Sequence, residues 1–191
     1  TIACGALSGM HAMVSSGTSP KMVEKETQVR MIGYGGMLME SFVAIMALAA
    51  AVSLSPGIYF SMNTSTATMN KLAGPETVAA APCKTTDDPE HHCEKLAEVA
   101  VANLGVTDAQ GRKPTPEWDS WDDNGNPKTY TGAEALERLA SDVGEPNVVS
   151  RTGGAPTLSV GIAHILHQIG GGRAMMGFWY HFAIMFEALF I

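Results

Sequence analysis

Residues 31–56, MIGYGGMLMESFVAIMALAAAVSLSP, carry a single formal charge, Glu40. About 20 mostly apolar residues suffice for a helix to cross the hydrocarbon core. Buried helices of soluble proteins rarely run this long without a polar face. The stretch reads as a transmembrane helix, and that one element argues against an ordinary soluble domain.

Whole-chain averages hide it. Apolar residues make up 46% of the chain and charged residues 16%, values that a soluble domain would also show. The charge, however, is unevenly placed. Residues 61–150 hold seven Lys/Arg and fifteen Asp/Glu, a net of −8, whereas the other residues hold five and four, a net of +1. A polar insert is therefore flanked by two apolar ends. At the far end, residues 155–191 contain only Arg173 and Glu187 as formal charges.

These observations predict an all-α, polytopic transmembrane fragment with broken, Gly-rich helices and a mostly helical extracytoplasmic insert. Its segments are a Gly/Ser-rich membrane segment over 1–17, a cytoplasmic loop over 18–30 and a transmembrane helix over 31–56. An acidic insert follows over 57–154, then a Gly-interrupted membrane segment over 155–172 and a second transmembrane helix over 174–191. Residues 1–17 lack a charged start and a cleavage site, so they do not read as a signal peptide. The last residues, FAIMFEALFI, stop without a cap. Both ends are expected to be cuts in a longer membrane protein, whose remainder packs on these helices. Lys21, Lys25 and Arg30 lie close to apolar sequence, and the next basic residue is Lys71. The positive-inside rule places 18–30 in the cytoplasm and the insert outside.

Within the insert, a helix is expected near 89–104, with Asp88 as its cap, Pro89 at its first position and Gly105 past its end. Leu96, Val99, Ala100 and Leu104 would share its apolar face, interrupted by Asn103. A second helix is expected over 132–143, started by the capping box Thr131-x-x-Glu134 and stopped by Gly144. The stretch between them, EWDSWDDNGNPKTY, reads as a solvated turn. With Gly125 at the sixth position of a calcium loop, Ser120 and Thr131 fall where carboxylates are required, which argues against an EF-hand.

Three cysteines divide the same way. Cys4 reads as a small core residue. Cys83 and Cys93 lie in the insert, where an oxidising compartment favours a disulfide. Free thiols remain an alternative, as does metal binding through His91 and His92, although no second ligand pair completes a metal motif.

Ionisable groups inside membrane segments mark a pathway, a coupling site or a buried pair. Glu40 shares its helical face with Gly33, Gly36, Ala44, Ala47 and Ala51, while Leu38, Phe42, Ile45 and Val52 lie opposite. Small residues let helices approach closely, so Glu40 is expected to point at protein; a role in transport and a role in helix assembly both fit. Glu187 stands in similar surroundings. His164 and His167 lie on one helical face, where polar packing and a pathway role compete. Thr1, Gly5 and His11 match Thr157, Gly161 and His167 at one constant offset, a faint repeat of the kind found in secondary transporters. His11, Arg173 and Glu187 therefore join Glu40, His164 and His167 as candidate substrate or ion-pathway residues. The run Gly170-Gly171-Gly172-Arg173 lacks the Walker spacing. No arrangement for catalysis, nucleotide binding or nucleic-acid recognition is apparent, so neither enzyme activity, metal nor cofactor is expected, a coupling proton or sodium ion apart.

The strings TIACGALSGMHAMVSSGTSPKM, IGYGGMLMESFVAIMAL, RTGGAPTLSVGIAHIL and FWYHFAIMFEALFI closely resemble the carbon starvation protein A family. They occur in the family's order and cover roughly residues 1–60 and 148–191; the insert brings no family motif. The resemblance implies a multi-pass protein of the bacterial inner membrane that imports peptides, or in some members pyruvate. The expected partners are the lipid bilayer, the rest of the polypeptide and a small peptide or carboxylate substrate. It brings no established binding residues. A membrane-anchored sensor whose insert binds a ligand is the alternative from another class; a pocket confined to 61–150 would favour it.

Overall fold

The computed structural model describes residues 14–80, 92–107, 110–152, 154–169 and 172–188. A π-helical turn, Val14–Thr18, leads into a helical turn, Ser19–Met22, with Pro20 in its first turn. Helix α1 then runs from Glu26 to Ser53. It begins inside the stretch expected to be a loop, because Glu26 in the first turn faces the positive end of the helix dipole. It ends where Pro56 holds Ser55 in an extended conformation. At 28 residues it is about 42 Å long, enough to span a bilayer. It is the single helix among the described residues that is both long and apolar enough to do so.

The chain divides into two compact units, one ending at Met46 and one beginning at Ala47. In the first, α1 exposes apolar side chains all round, among them Met31, Tyr34, Leu38, Phe42 and Ile45.

The second unit is built on one hydrophobic core. Helix α2, Pro56–Asn63, has Ser55 as its N-cap and Pro56 at its start. Ser65 caps α3, Thr66–Ala73, in the same way. Both starts carry the sequence signals of a capping Ser, and one adds Pro just inside the helix. Helix α4 is Pro75–Ala80, and α5 is His92–Ala102. The buried face of α5 comprises Cys93, Leu96, Ala97, Ala100 and Val101. Val99 of the expected face is instead 37% exposed, and Asn103 turns away to donate to the Leu72 carbonyl. Gly105 follows with positive φ, consistent with its expected place past the helix end. The expected cap, Asp88, lies outside the described residues.

The sequence between α5 and the next helix is not a solvated turn. Strands β1, Glu117–Trp121, and β2, Pro127–Thr131, form an antiparallel hairpin in which Trp118 pairs with Tyr130. Their alternation buries Trp118, Ser120 and Tyr130 and leaves Glu117 and Asp119 outside. Asp122 closes the loop by accepting from the backbone N–H groups of Asn124 and Asn126 at 2.9 and 2.8 Å. Gly125 takes the positive φ that the turn requires.

Helix α6, Ala133–Val143, follows at once and buries Leu136, Leu139, Ala140 and Val143. Its start differs from the expected capping box. Thr131 is held in β2 opposite Glu117, so it cannot reach the helix, and Gly132 makes the turn. Instead, the Glu98 carboxylate of α5 accepts from the Ala133 N–H at 3.0 Å. Gly144 ends α6 in the left-handed conformation.

Helix α7, Ala155–Ile169, is continuous through Gly161, so that glycine serves packing and does not break the helix. A 3-10 turn, Arg173–Met175, leads into α8, Met176–Ala188. The core runs through all these elements, joining Leu54 and Met62 to Leu96, Trp118, Leu136, Val160 and Tyr180. The insert therefore shares its interior with α7 and α8.

Candidate functional site

Helix α7 carries Thr157, Ser159, His164 and His167 along a mostly apolar sequence. Thr157, Ser159 and His167 are buried. Thr157 Oγ1 accepts from Asn63 Nδ2 of α2 at 2.9 Å, and the same amide donates to the Tyr59 carbonyl. One turn on, a Cβ at Gly161 would collide with the backbone of Ala50. The last turns of α1 and the middle of α7 thus meet at backbone contact, which only a glycine permits.

The two histidines stand between α7 and the hairpin. Their ring centroids are 5.3 Å apart. Trp118 lies 4.8 Å from His164, tilted by 46°, and Trp121 meets His167 edge-on at 5.2 Å. His167 Nδ1 lies 3.3 Å from the Ala163 carbonyl. A carbonyl only accepts, so Nδ1 bears the proton and, in the neutral ring, Nε2 holds the lone pair. His164 Nδ1 and Ser159 Oγ are enclosed with no hydrogen-bond partner among the described residues.

A buried carboxylate positions the tryptophans. Asp142 of α6 accepts from Trp118 Nε1 at 3.0 Å and from the Ser120 hydroxyl through the same oxygen. Its other oxygen lies 3.4 Å from Arg138 Nε, and Arg138 also donates to the Trp121 carbonyl. Such a network keeps a buried charge satisfied and fixes the hairpin on α6.

Two clefts open beside this arrangement. The first, about 240 Å³, is walled by Ser53, Ser55, Glu117, Trp118, Asp119 and His164. The second, about 280 Å³, shares Ser55 and Glu117 and adds Phe60, Arg112, Lys113 and Thr115. A more open groove of about 390 Å³ lies on the insert alone, between Asp122, Lys128, Glu134 and Arg138.

Of the six candidate pathway residues, His164 and His167 are brought together. Glu40 is exposed on α1 in the first unit. Arg173 lies in the 3-10 turn and Glu187 in α8; His11 falls outside the described residues. Cys93 is fully buried and disulfide-bonded, while Cys83 falls outside the described residues. Sequence reasoning missed Asn63, Trp118, Asp119 and Trp121. The Asn124-Gly125 pair between EWDSW and PKTYT is a hairpin signal that could have placed the tryptophans on a strand.

The family description "Carbon starvation protein CstA" matches residues 1–115 and 118–191. The chain belongs to the CstA family. Among its relatives, "Peptide transporter CstA" of Escherichia coli (strain K12) is 46% identical over 191 residues. "Pyruvate/proton symporter BtsT" of the same strain is 45% identical over 191 residues, as is "Peptide transporter CstA" of Mycobacterium tuberculosis (strain ATCC 25618 / H37Rv). All of this chain is covered in each case, against 22%, 24% and 20% of those relatives. The chain thus spans about a fifth of the length of the CstA relatives it matches. No solved structure matches the chain.

Proposed function

We propose that this chain is part of a secondary transporter of the bacterial inner membrane, importing peptides or small carboxylates such as pyruvate with a coupling ion. The observation that carries the reading is the paired imidazoles of His164 and His167, set between an apolar helix and a polar insert with one nitrogen unpartnered. Polar groups held in that position suit a substrate or proton route. Family membership supports it, since relatives are named peptide transporter and pyruvate/proton symporter. In this reading α1 and α8 are membrane-spanning helices of a multi-pass protein, and α7, at 15 residues shorter than a full span, acts as a broken one. Glu40, His11, Arg173 and Glu187 are further pathway residues, and Cys83 is the partner of Cys93 outside the membrane.

The sensor reading finds support in the open groove confined to the insert. The clefts beside His164 favour transport, because they join the insert to α1 and α7. Uptake of labelled pyruvate and dipeptides into vesicles carrying the full-length protein tests the proposal. Accumulation should depend on an imposed proton or sodium gradient, and the dependence should change in His164→Gln and His167→Gln. Absence of uptake for both substrate classes would overturn it.

A further inference from the structure

The two clefts beside β1 share Ser55 and Glu117 in their walls; Asp119 and His164 belong to the first alone, Arg112 and Lys113 to the second alone. We infer that the two form one groove that binds a short peptide by its two free termini, the α-ammonium at Glu117 and Asp119 and the α-carboxylate at Arg112 and Lys113. The inference deepens the peptide reading above, and only its uptake measurement rests on that reading.

Each part of the groove offers what one part of a peptide needs. Asp119 is held in place by the Thr129 hydroxyl, which donates to its Oδ1 at 2.6 Å. A fixed carboxylate loses little freedom on meeting an ammonium. A metal ion would compete for carboxylates beside an imidazole. Yet among the described residues no three His, Cys, Asp or Glu side chains are grouped to hold one. An ammonium needs only separate acceptors for its three N–H bonds.

In the middle of the groove, Ser55 Oγ already accepts from the Ile58 N–H at 3.4 Å and from the Glu117 N–H at 3.0 Å. Both lone pairs are engaged, so its own O–H is left to donate, as a peptide carbonyl requires. At the basic end, the Lys113 ammonium offers three N–H donors to a carboxylate. Phe60 and Thr115 line the same cleft and offer contact for a side chain. Clefts of about 240 and 280 Å³ joined end to end reach the roughly 300–1,000 Å³ usual for small-molecule sites. A simple carboxylate such as pyruvate satisfies only the basic end and meets two carboxylates at the other.

The test uses purified full-length protein with L-alanyl-L-alanine, its N-acetyl and C-amide forms, and pyruvate, read by direct binding. Acetylation and amidation should each weaken binding at least tenfold, and pyruvate should bind more weakly than the dipeptide. In the double variant Glu117→Gln/Asp119→Asn the penalty for acetylation should vanish while that for amidation persists; Lys113→Gln should reduce the amidation penalty alone. These side chains are exposed, so the variants should fold, which an unchanged thermal midpoint would check. Absence of dipeptide binding, equal binding of the blocked forms, or an acetylation penalty unaltered in the double variant would overturn the inference. Uptake separates the two proposals. Dipeptide uptake with unaltered terminus dependence in the double variant sinks the groove and leaves transport standing. The expected binding pattern without any uptake sinks transport and leaves the groove standing.

Discussion

Trp118 and His164 stand 4.8 Å apart, ring centroid to ring centroid, and join a strand of the acidic insert to an apolar helix 46 residues later in the chain. The indole is aimed by Asp142 from behind, so the imidazole faces a wall that does not move freely. The first cleft is bounded by both rings.

Asp142→Ala should therefore unsettle the hairpin as well as α6. It removes the acceptor of Trp118 and Ser120 and leaves Arg138, whose side chain is 14% exposed, with only the exposed Asp123 carboxylate at 3.9 Å. Breaking a buried charge pair typically costs about 3–5 kcal/mol. Chemical denaturation of the full-length protein, followed by tryptophan fluorescence, should show a loss of that order. A change near zero would mean that the network is not what holds the hairpin.

Gly161→Ala tests the close crossing with Ala50. The added methyl would meet backbone, which cannot swing aside as a side chain can. Overpacking of this kind costs about 1–3 kcal/mol. The thermal midpoint in detergent should fall, and an unchanged midpoint would mean that the two helices cross less closely.

Acid should loosen the hairpin loop. The Asp122 carboxyl is held below its ordinary value of 3.8, chiefly by the Asn126 backbone N–H that it accepts, with Asn124 adding to the effect. A folded-state value below the unfolded one means that the unfolded chain takes up the proton first. The stabilisation is thus present above the ordinary value and is lost as pH falls through the folded one. Hydrogen exchange over 117–131 should be slower in the wild type than in Asp122→Ala at about pH 6, with the difference shrinking as the pH falls below 3.8. A difference independent of pH would show that the charge is irrelevant to the turn.

Orientation can be read by cysteine labelling, prompted by Lys21, Lys25 and Arg30. In intact cells, position 25 should resist an impermeant reagent and position 123 should react. The reverse pattern would invert the proposed topology. Mass spectrometry without reduction should find Cys83 linked to Cys93, and an alkylatable thiol at both positions would refute that pairing.

Glu40→Gln preserves shape and removes the charge. If Glu40 loads and releases a coupling proton, the full-length variant should insert normally while uptake falls steeply and loses its pH dependence. Wild-type uptake and pH profile in the variant would assign Glu40 to helix assembly.

Sequence served best where one local rule acted alone. The apolar run around Glu40, the stop at Gly144 and the helix before Gly105 follow from composition and backbone freedom, and each is present. It served worst where distant segments decide. Trp118 and Trp121 read as part of a solvated acidic turn because the histidines that cover them lie more than forty residues away. Thr131 has the right spacing for a cap, but pairing with Glu117 claims its backbone first. Gly161 read only as part of a Gly-interrupted segment, and the Ala50 backbone against it reveals a packing role.

The cap on α6 has a temporal consequence. The carboxylate that receives the Ala133 N–H belongs to Glu98, 35 positions earlier in the chain. An isolated helix of 11 residues is marginal in water, since its first turn is costly to nucleate. Helix α5 has the same 11 residues and is marginal for the same reason, so neither can serve as a finished template for the other. The two become stable together as the Glu98 bond joins them, and Glu98→Ala should slow the appearance of both in a refolding experiment.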